Sequence, residues 1–146
     1  MNLTIDTSVL VDSLVPPRRG RTHTKQTKRH SLAKAIMQDI EDGDVTLYIP
    51  SAALVEVAAV CARLTKSKRQ GYRGVAYLQE HGIVLFDDTL LESSIELGAQ
   101  VQTSGFDTVF LACAKATNAT LITNDKGMHA AAKRAKIPSR LLSVRK

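Results

Sequence analysis

Five short runs of β-branched or apolar residues alternate with stretches of helical period along the chain, and this alternation limits the fold more than any other feature. The runs are Asn2 to Ile5, Val45 to Ile49, Ile83 to Phe86, Thr120 to Thr123 and Arg140 to Val144. Turn or helix-start signals bound each of them, which predicts strands. Between them lie predicted helices over Ser31 to Glu41, Ser51 to about Leu64, Gln70 to Glu80, Thr89 to Gln102, Asp107 to Ala116 and Lys126 to Lys136. In the first of these, Leu32, Ala35, Ile36 and Ile40 share a face; in the second, Ser51 reads as the N-cap after Pro50. Strands and helices in alternation, joined by short connections, predict an α/β fold with one open parallel sheet. In such sheets ligands bind beyond the carboxyl ends of the strands, where the strand order reverses.

The chain has 146 residues, of which 44% are apolar. That suits one globular domain with a real core, spanning residues 1 to 146. No run approaches the roughly 18 apolar residues that a membrane span needs. The start, "MNLTIDTSVLVDSL", carries acids and no basic leader, so a secretory signal is not expected. Cys61 and Cys113 lack any CxxC or Cys/His spacing and read as buried, reduced thiols of a cytoplasmic protein. A net charge of +6 favours a polyanionic partner.

Four carboxylates stand alone in otherwise uncharged surroundings. Asp6 is the only charged side chain in residues 1 to 11, and Glu56 the only one between Asp44 and Arg63. Asp107 is the only one between Glu96 and Lys115, and Asp125 ends an uncharged stretch that runs from Ala116 to Asn124. A lone carboxylate is costly to place in a core. Each has an ordinary explanation: a helix cap for Asp107 or Asp125, an exposed helix stripe for Glu56, an Asx turn for Asp6. Together they point elsewhere. In a parallel sheet with right-handed connections, Asp6 and Asp125 are expected to end strands close to the switch point, with Glu56 and Asp107 within reach of the same edge. Carboxylates gathered there repel one another unless a cation joins them, and oxygen-only ligands select Mg2+ or Mn2+. An acidic metal pocket on a basic protein suits phosphodiester chemistry.

These residues carry a resemblance. "LTIDTSVLVD", the Glu within "YIPSAALVE", and "GFDTVFLACAKATNATLITNDKGM" together resemble the PIN domain, and more narrowly the VapC-type ribonuclease toxins of type II toxin–antitoxin pairs. The likeness covers nearly the whole chain, with all four acids in order. It implies a single-domain, three-layer fold with a five-stranded parallel sheet flanked by helices. It implies a Mg2+- or Mn2+-dependent endoribonuclease that hydrolyses RNA with metal-activated water. Asp6, Glu56, Asp107 and Asp125 would be its catalytic, metal-binding quartet, with Asp6 and Asp107 the first choices as direct ligands. Thr7 and Thr123 match positions where the family keeps a hydroxyl beside the quartet. A cognate antitoxin and a homodimer are the partners that the resemblance implies.

The chain departs from that pattern between Val15 and His30, which reads as a long polar loop within the domain. Arg18, Arg19, Arg21, Lys25, Lys28, Arg29 and Lys34 occur there or just after it, with no acid between Asp12 and Asp39. A solvated loop, an RNA-tracking arm and a docking site for an acidic partner all fit. A second basic set, Arg63, Lys66, Lys68, Arg69 and Arg73, extends that surface or marks an exposed helix end. The spacings of His23, His30, His81 and His129 suit neither zinc nor a nucleophile–base pair.

Other readings are weaker. Phosphotransfer enzymes also place an Asp after the first strand, but the haloacid dehalogenase pattern needs a second Asp where Ser8 stands. A silent PIN adaptor for RNA or protein should have lost a quartet acid, and none is missing. A PIN nuclease that processes RNA without being a toxin fits the same residues.

Overall fold

The computed structural model of the protein describes residues 1–17 and 24–142. Chain order runs β1 (Asn2–Ile5), α1 (Thr7–Leu14), α2 (Thr24–Glu41), β2 (Thr46–Pro50), α3 (Ser51–Thr65), α4 (Lys68–His81) and β3 (Gly82–Leu85). It continues with α5 (Asp87–Val101), α6 (Gly105–Ala116), β4 (Thr120–Thr123), α7 (Lys126–Arg134) and β5 (Ser139–Leu141). The five strands form one all-parallel sheet in the order β3-β2-β1-β4-β5. The chain therefore steps outward from β1 to β3, then returns to the other side of β1 as β4. The switch point lies between β1 and β4.

Alternation along the strands divides the core into two layers. Leu3 and Ile5 of β1, Leu47 and Ile49 of β2, and Ile122 of β4 point to one face, where they meet α1, α2, α3 and α4. Leu121 points to the other, where Leu97, Phe110, Leu111 and Met128 of α5, α6 and α7 close over it. Each of these side chains is removed from water, which contributes about 1.5–3 kcal/mol apiece before conformational entropy is set against it. Cys61 and Cys113 are free thiols within these layers. Among the described residues no helix is long and apolar enough to cross a membrane.

Several boundaries differ from the sequence reading, each for a local reason. The first long helix starts at Thr24 rather than Ser31, so Lys25, Lys28 and Arg29 are helical and not part of a loop. A stretch without apolar period hides those nearly two turns. Residues 18–23, including Arg18, Arg19 and Arg21, lie outside the described residues. The buried face of α2 is Ala33, Ile36, Met37 and Ile40; Leu32, at 39% exposure, and Ala35 face outward instead. Ser51 is the first residue of α3, after Pro50 in the N-cap position, and its hydroxyl donates to Asp87 across the sheet edge at 2.9 Å. β5 begins at Ser139 and spans Ser139–Leu141; the end of the expected run, at Val144, lies outside the described residues.

The α3–α4 hairpin closes on a glycine. A Cβ built on Gly71 would sit 2.7 Å from the Ala58 carbonyl oxygen, a backbone atom that cannot move aside alone. Gly71→Ala is therefore expected to cost about 1–2 kcal/mol by prising the two helices apart. The midpoint of urea unfolding measures it.

Candidate active site

The acids meet at the carboxyl edge of the sheet. Register does most of this: Ile5 pairs with Ile122, so β1 and β4 end side by side. The Asp6 amide donates to the Ile122 carbonyl at 2.9 Å, which sets Asp6 beside Thr123. Thr123 is fully buried, and its hydroxyl donates to Asp6 Oδ2 at 2.7 Å while accepting from the Asp125 amide at 3.0 Å. One hydroxyl thus ties together the two strand-end acids. Ser8 Oγ also donates to Asp6 Oδ2, at 3.3 Å. Asp6 occupies the N-cap position of α1, yet its carboxylate caps nothing there. At 9% exposure, that carboxylate is committed to Thr123 and Ser8 instead.

Asp125 caps α7. Its Oδ1 accepts from the amides of Gly127 at 2.7 Å and Met128 at 3.1 Å, leaving Oδ2 without a bond among the described residues. A Cβ on residue 127 would come within 3.1 Å of that Oδ1, so glycine leaves the carboxylate its place. Asp107 does not cap its helix. Ser104 holds that position and accepts from the Asp107 amide at 3.2 Å, which puts the Asp107 carboxylate in the first turn of α6, where the helix dipole favours a negative charge. Burial pushes the Asp107 carboxyl up from its ordinary value; the Ser104 hydroxyl offsets part of this, and the charges of Asp6 and Asp125 add to the rise. Glu56, in the second turn of α3, is half-buried, and its Oε2 is buried without a hydrogen-bond partner among the described residues. The Thr7 hydroxyl is likewise buried, with no hydrogen-bond partner among the described residues.

Asp6, Glu56, Asp107 and Asp125 line one cleft of about 370 Å3, together with Thr7, Ser8, Phe106 and Asn124. A larger hollow of about 750 Å3 between α2 and β5 carries none of the four. Three lining residues escaped the sequence reading: Ser8, Phe106 and Asn124. The first and last sat inside the motifs "IDTS" and "LITND", so their spacing from Asp6 and Asp125 was the available signal. Asn124 also leads outward. Its Nδ2 donates to Asp12 Oδ2 at 3.1 Å, and the same oxygen lies 3.5 Å from Arg29 Nε on α2. His30 Nδ1 meets the Asp12 carbonyl at 2.6 Å. Burial lifts the Asp12 carboxyl, against the pull of Arg29 and the Asn124 hydrogen bond. Of the basic residues singled out in the sequence, Arg29 is thus joined to the cleft wall through Asp12 and Asn124. Lys25 and Lys28 are exposed on the same helix. His129 bonds Ser139 away from the four acids, at 2.7 Å.

The donor set is oxygen throughout: carboxylates, hydroxyls and an amide, with two buried oxygens unpartnered. That composition fits a hard divalent cation. Among the described residues no three His, Cys, Asp or Glu side chains close into a ready-made cage. An open carboxylate wall is the arrangement Mg2+ uses when it keeps several waters and takes one or two carboxylates plus substrate phosphate oxygens.

Comparison with known proteins agrees with this fold. A profile of the PIN domain matches residues 3–134, so the chain belongs to the PIN-domain family, whose members are generally nucleases. Among solved structures, it is similar to VapBC2 from Rickettsia felis bound to a promoter DNA fragment, at TM-score 0.66 and 15% identity over 97% of this chain and 98% of that one. FitAB bound to a DNA fragment gives TM-score 0.66 at 15% identity, covering 99% and 97% of the two chains. PAE2754 from Pyrobaculum aerophilum gives TM-score 0.64 at 14% identity, over 97% and 90%. At such identities the likeness speaks for the fold. No curated protein matches the chain in sequence.

Proposed function

We propose that the protein is a Mg2+- or Mn2+-dependent endoribonuclease and the toxin of a toxin–antitoxin pair. The observation that carries the nuclease reading is the convergence of Asp6, Glu56, Asp107 and Asp125 on one cleft at the switch point. Asp6 and Asp107 would hold the ion first, and Glu56 and Asp125 would complete its surroundings. When bound, the metal supplies an activated water and screens charge on the phosphoryl oxygens. The chain's own part is positioning. Thr123 fixes the Asp6 carboxylate, the α7 amides turn Asp125, and Asp12 holds Asn124 in the cleft wall. Arg29, with Lys25 and Lys28 on the same helix, supplies cations for the RNA backbone beside the cleft, and Arg18, Arg19 and Arg21 belong to the same proposal.

The toxin reading draws on the similar structures. VapBC2 and FitAB are toxin–antitoxin complexes, and this fold matches them along almost its whole length. An antitoxin partner, homodimerisation and work in the cytoplasm follow from it as parts of the proposal. Metal binding gives the first test. At a concentration about 100 times Kd, Mg2+ or Mn2+ should raise Tm by roughly 5–10 °C. The shift should vanish in Asp6→Asn. A wild-type Tm indifferent to both ions would contradict the metal reading. Induced expression should halt bacterial growth, and unhindered growth on verified expression of soluble protein would count against the toxin.

A further inference from the structure

The end of the α3–α4 hairpin carries an unbalanced charge. Between Glu56 and Glu80 the chain has five cations, Arg63, Lys66, Lys68, Arg69 and Arg73, and no acid. All five are exposed, and none joins an ion pair among the described residues. Gathered on one helix end, the turn and the next helix start, they repel one another with no compensation from the chain. Helix energetics does not ask for them. Lys68 and Arg69 stand in the first turn of α4, where the dipole favours acids, and no acid is present there.

A flat aromatic ring sits among these charges. Tyr72 is 64% exposed, and Lys68 Nζ lies 5.8 Å from its ring centroid. Lys68, Arg69, Tyr72 and Arg73 share the outer face of α4, while Gly71 and Gly74 form the inner face against α3. Cations that track a backbone, set beside a ring on which a base can stack, are the two elements of single-strand recognition. Folding gains nothing from leaving this tyrosine in water.

The patch lies away from the acids. Glu56 is in the second turn of α3, and Arg63 and Lys66 lie at its far end, roughly 10–15 Å further along the axis. The exposed residue between them is Ala59 and no acid occurs from Val57 to Ala62, so nothing on this stretch of the helix repels a strand running from the cleft to the patch.

We infer that the α3–α4 corner is an RNA exosite, in which Arg63, Lys66, Lys68, Arg69 and Arg73 hold the backbone and Tyr72 stacks on a base, remote from the acidic cleft. It rests on the nuclease reading in taking RNA as the polyanion. The exosite grips the substrate a few nucleotides from the cleavage point and makes productive binding depend on RNA length.

The test measures binding in EDTA with Asp107→Asn protein, so that nothing is cut. The probes are a labelled single-stranded RNA of about 30 nucleotides and a trinucleotide. Lys68→Gln/Arg69→Gln/Arg73→Gln should weaken binding of the long RNA at least tenfold. It should also lower the slope of log K against log salt by about 2, at about 0.7 per lost phosphate contact. Tyr72→Ala should cost at least about fivefold. Trinucleotide affinity should be unchanged, and Tm should hold or rise, because two cations leave the positive end of α4. Unchanged affinity and slope for the long RNA would overturn the exosite and assign the patch to an acidic protein or to solvent. An equal loss for both RNAs would also overturn it, because the cations would then act at the cleft. Failure of the nuclease reading would show separately, as wild-type protein that cuts no RNA with metal present.

Discussion

Asp107→Asn should lower RNA cleavage by at least about 100-fold while leaving the fold intact. The substitution keeps shape and the Ser104 cap, because that cap uses the Asp107 amide and not its carboxylate. What it removes is one charge facing Asp6 and Asp125. The metal-free protein should therefore be no less stable, and at neutral pH more stable. The sign follows from linkage. Burial first, then the two neighbouring acids, hold the folded pKa of Asp107 above its unfolded value, so the native state binds this proton more tightly than the unfolded chain. Stability from this group is lowest where both states are ionised and rises as pH falls through the folded pKa, until the unfolded carboxyl is protonated below about 3.9. The advantage of Asp107→Asn in EDTA should therefore be largest near neutral pH and shrink toward about pH 4. Urea unfolding at the two pH values measures it. A variant that unfolds outright would make Asp107 a structural residue of α6.

Thr123→Val should act on both stability and metal. The hydroxyl is fully buried between Asp6 Oδ2 and the Asp125 amide, so its loss leaves that carboxylate oxygen only the longer 3.3 Å bond from Ser8 and removes the acceptor of the Asp125 amide. A hydrogen bond to a charged group is worth about 1.5–3 kcal/mol, and that is the expected fall in stability. Freed from its partner, Asp6 should also hold metal about 10–100 times less tightly. Thr123→Ser keeps the hydroxyl and should recover most of both losses. A Thr123→Val protein with wild-type metal affinity, measured by calorimetry, would show that Asp6 needs no such support.

The alternation of strand and helix made the architecture legible, because β-branched runs such as "TLIT" and the helical period of "SAALVEVAAV" leave few other arrangements. The meeting of the four acids in one cleft was legible for a different reason: charge is so scarce around each of them that its position stood out. What remained hidden depends on three-dimensional partners. Asp12 closes the motif "LTIDTSVLVD", but no sequence pattern shows that it links Asn124 to Arg29. Thr24 to His30 is too polar to show helical period, so nearly two turns of α2 carry no helical signal in the sequence. Ser104 caps α6 through a hydroxyl whose role depends on where the helix begins, so the helix opens at Gly105 and not at the expected Asp107. The place of Tyr72 depends on its exposure among cations, which no local sequence pattern encodes.

Cleavage of a mixed RNA pool by purified protein, in Mg2+, Mn2+ or EDTA and beside Asp6→Ala, tests the central claim most directly. Cleavage is expected with either ion, lost in EDTA, restored when metal is returned, and absent from Asp6→Ala at every condition. Cleavage that persists in EDTA, or that Asp6→Ala performs as well as wild type, would contradict a metal-dependent nuclease built on the four acids.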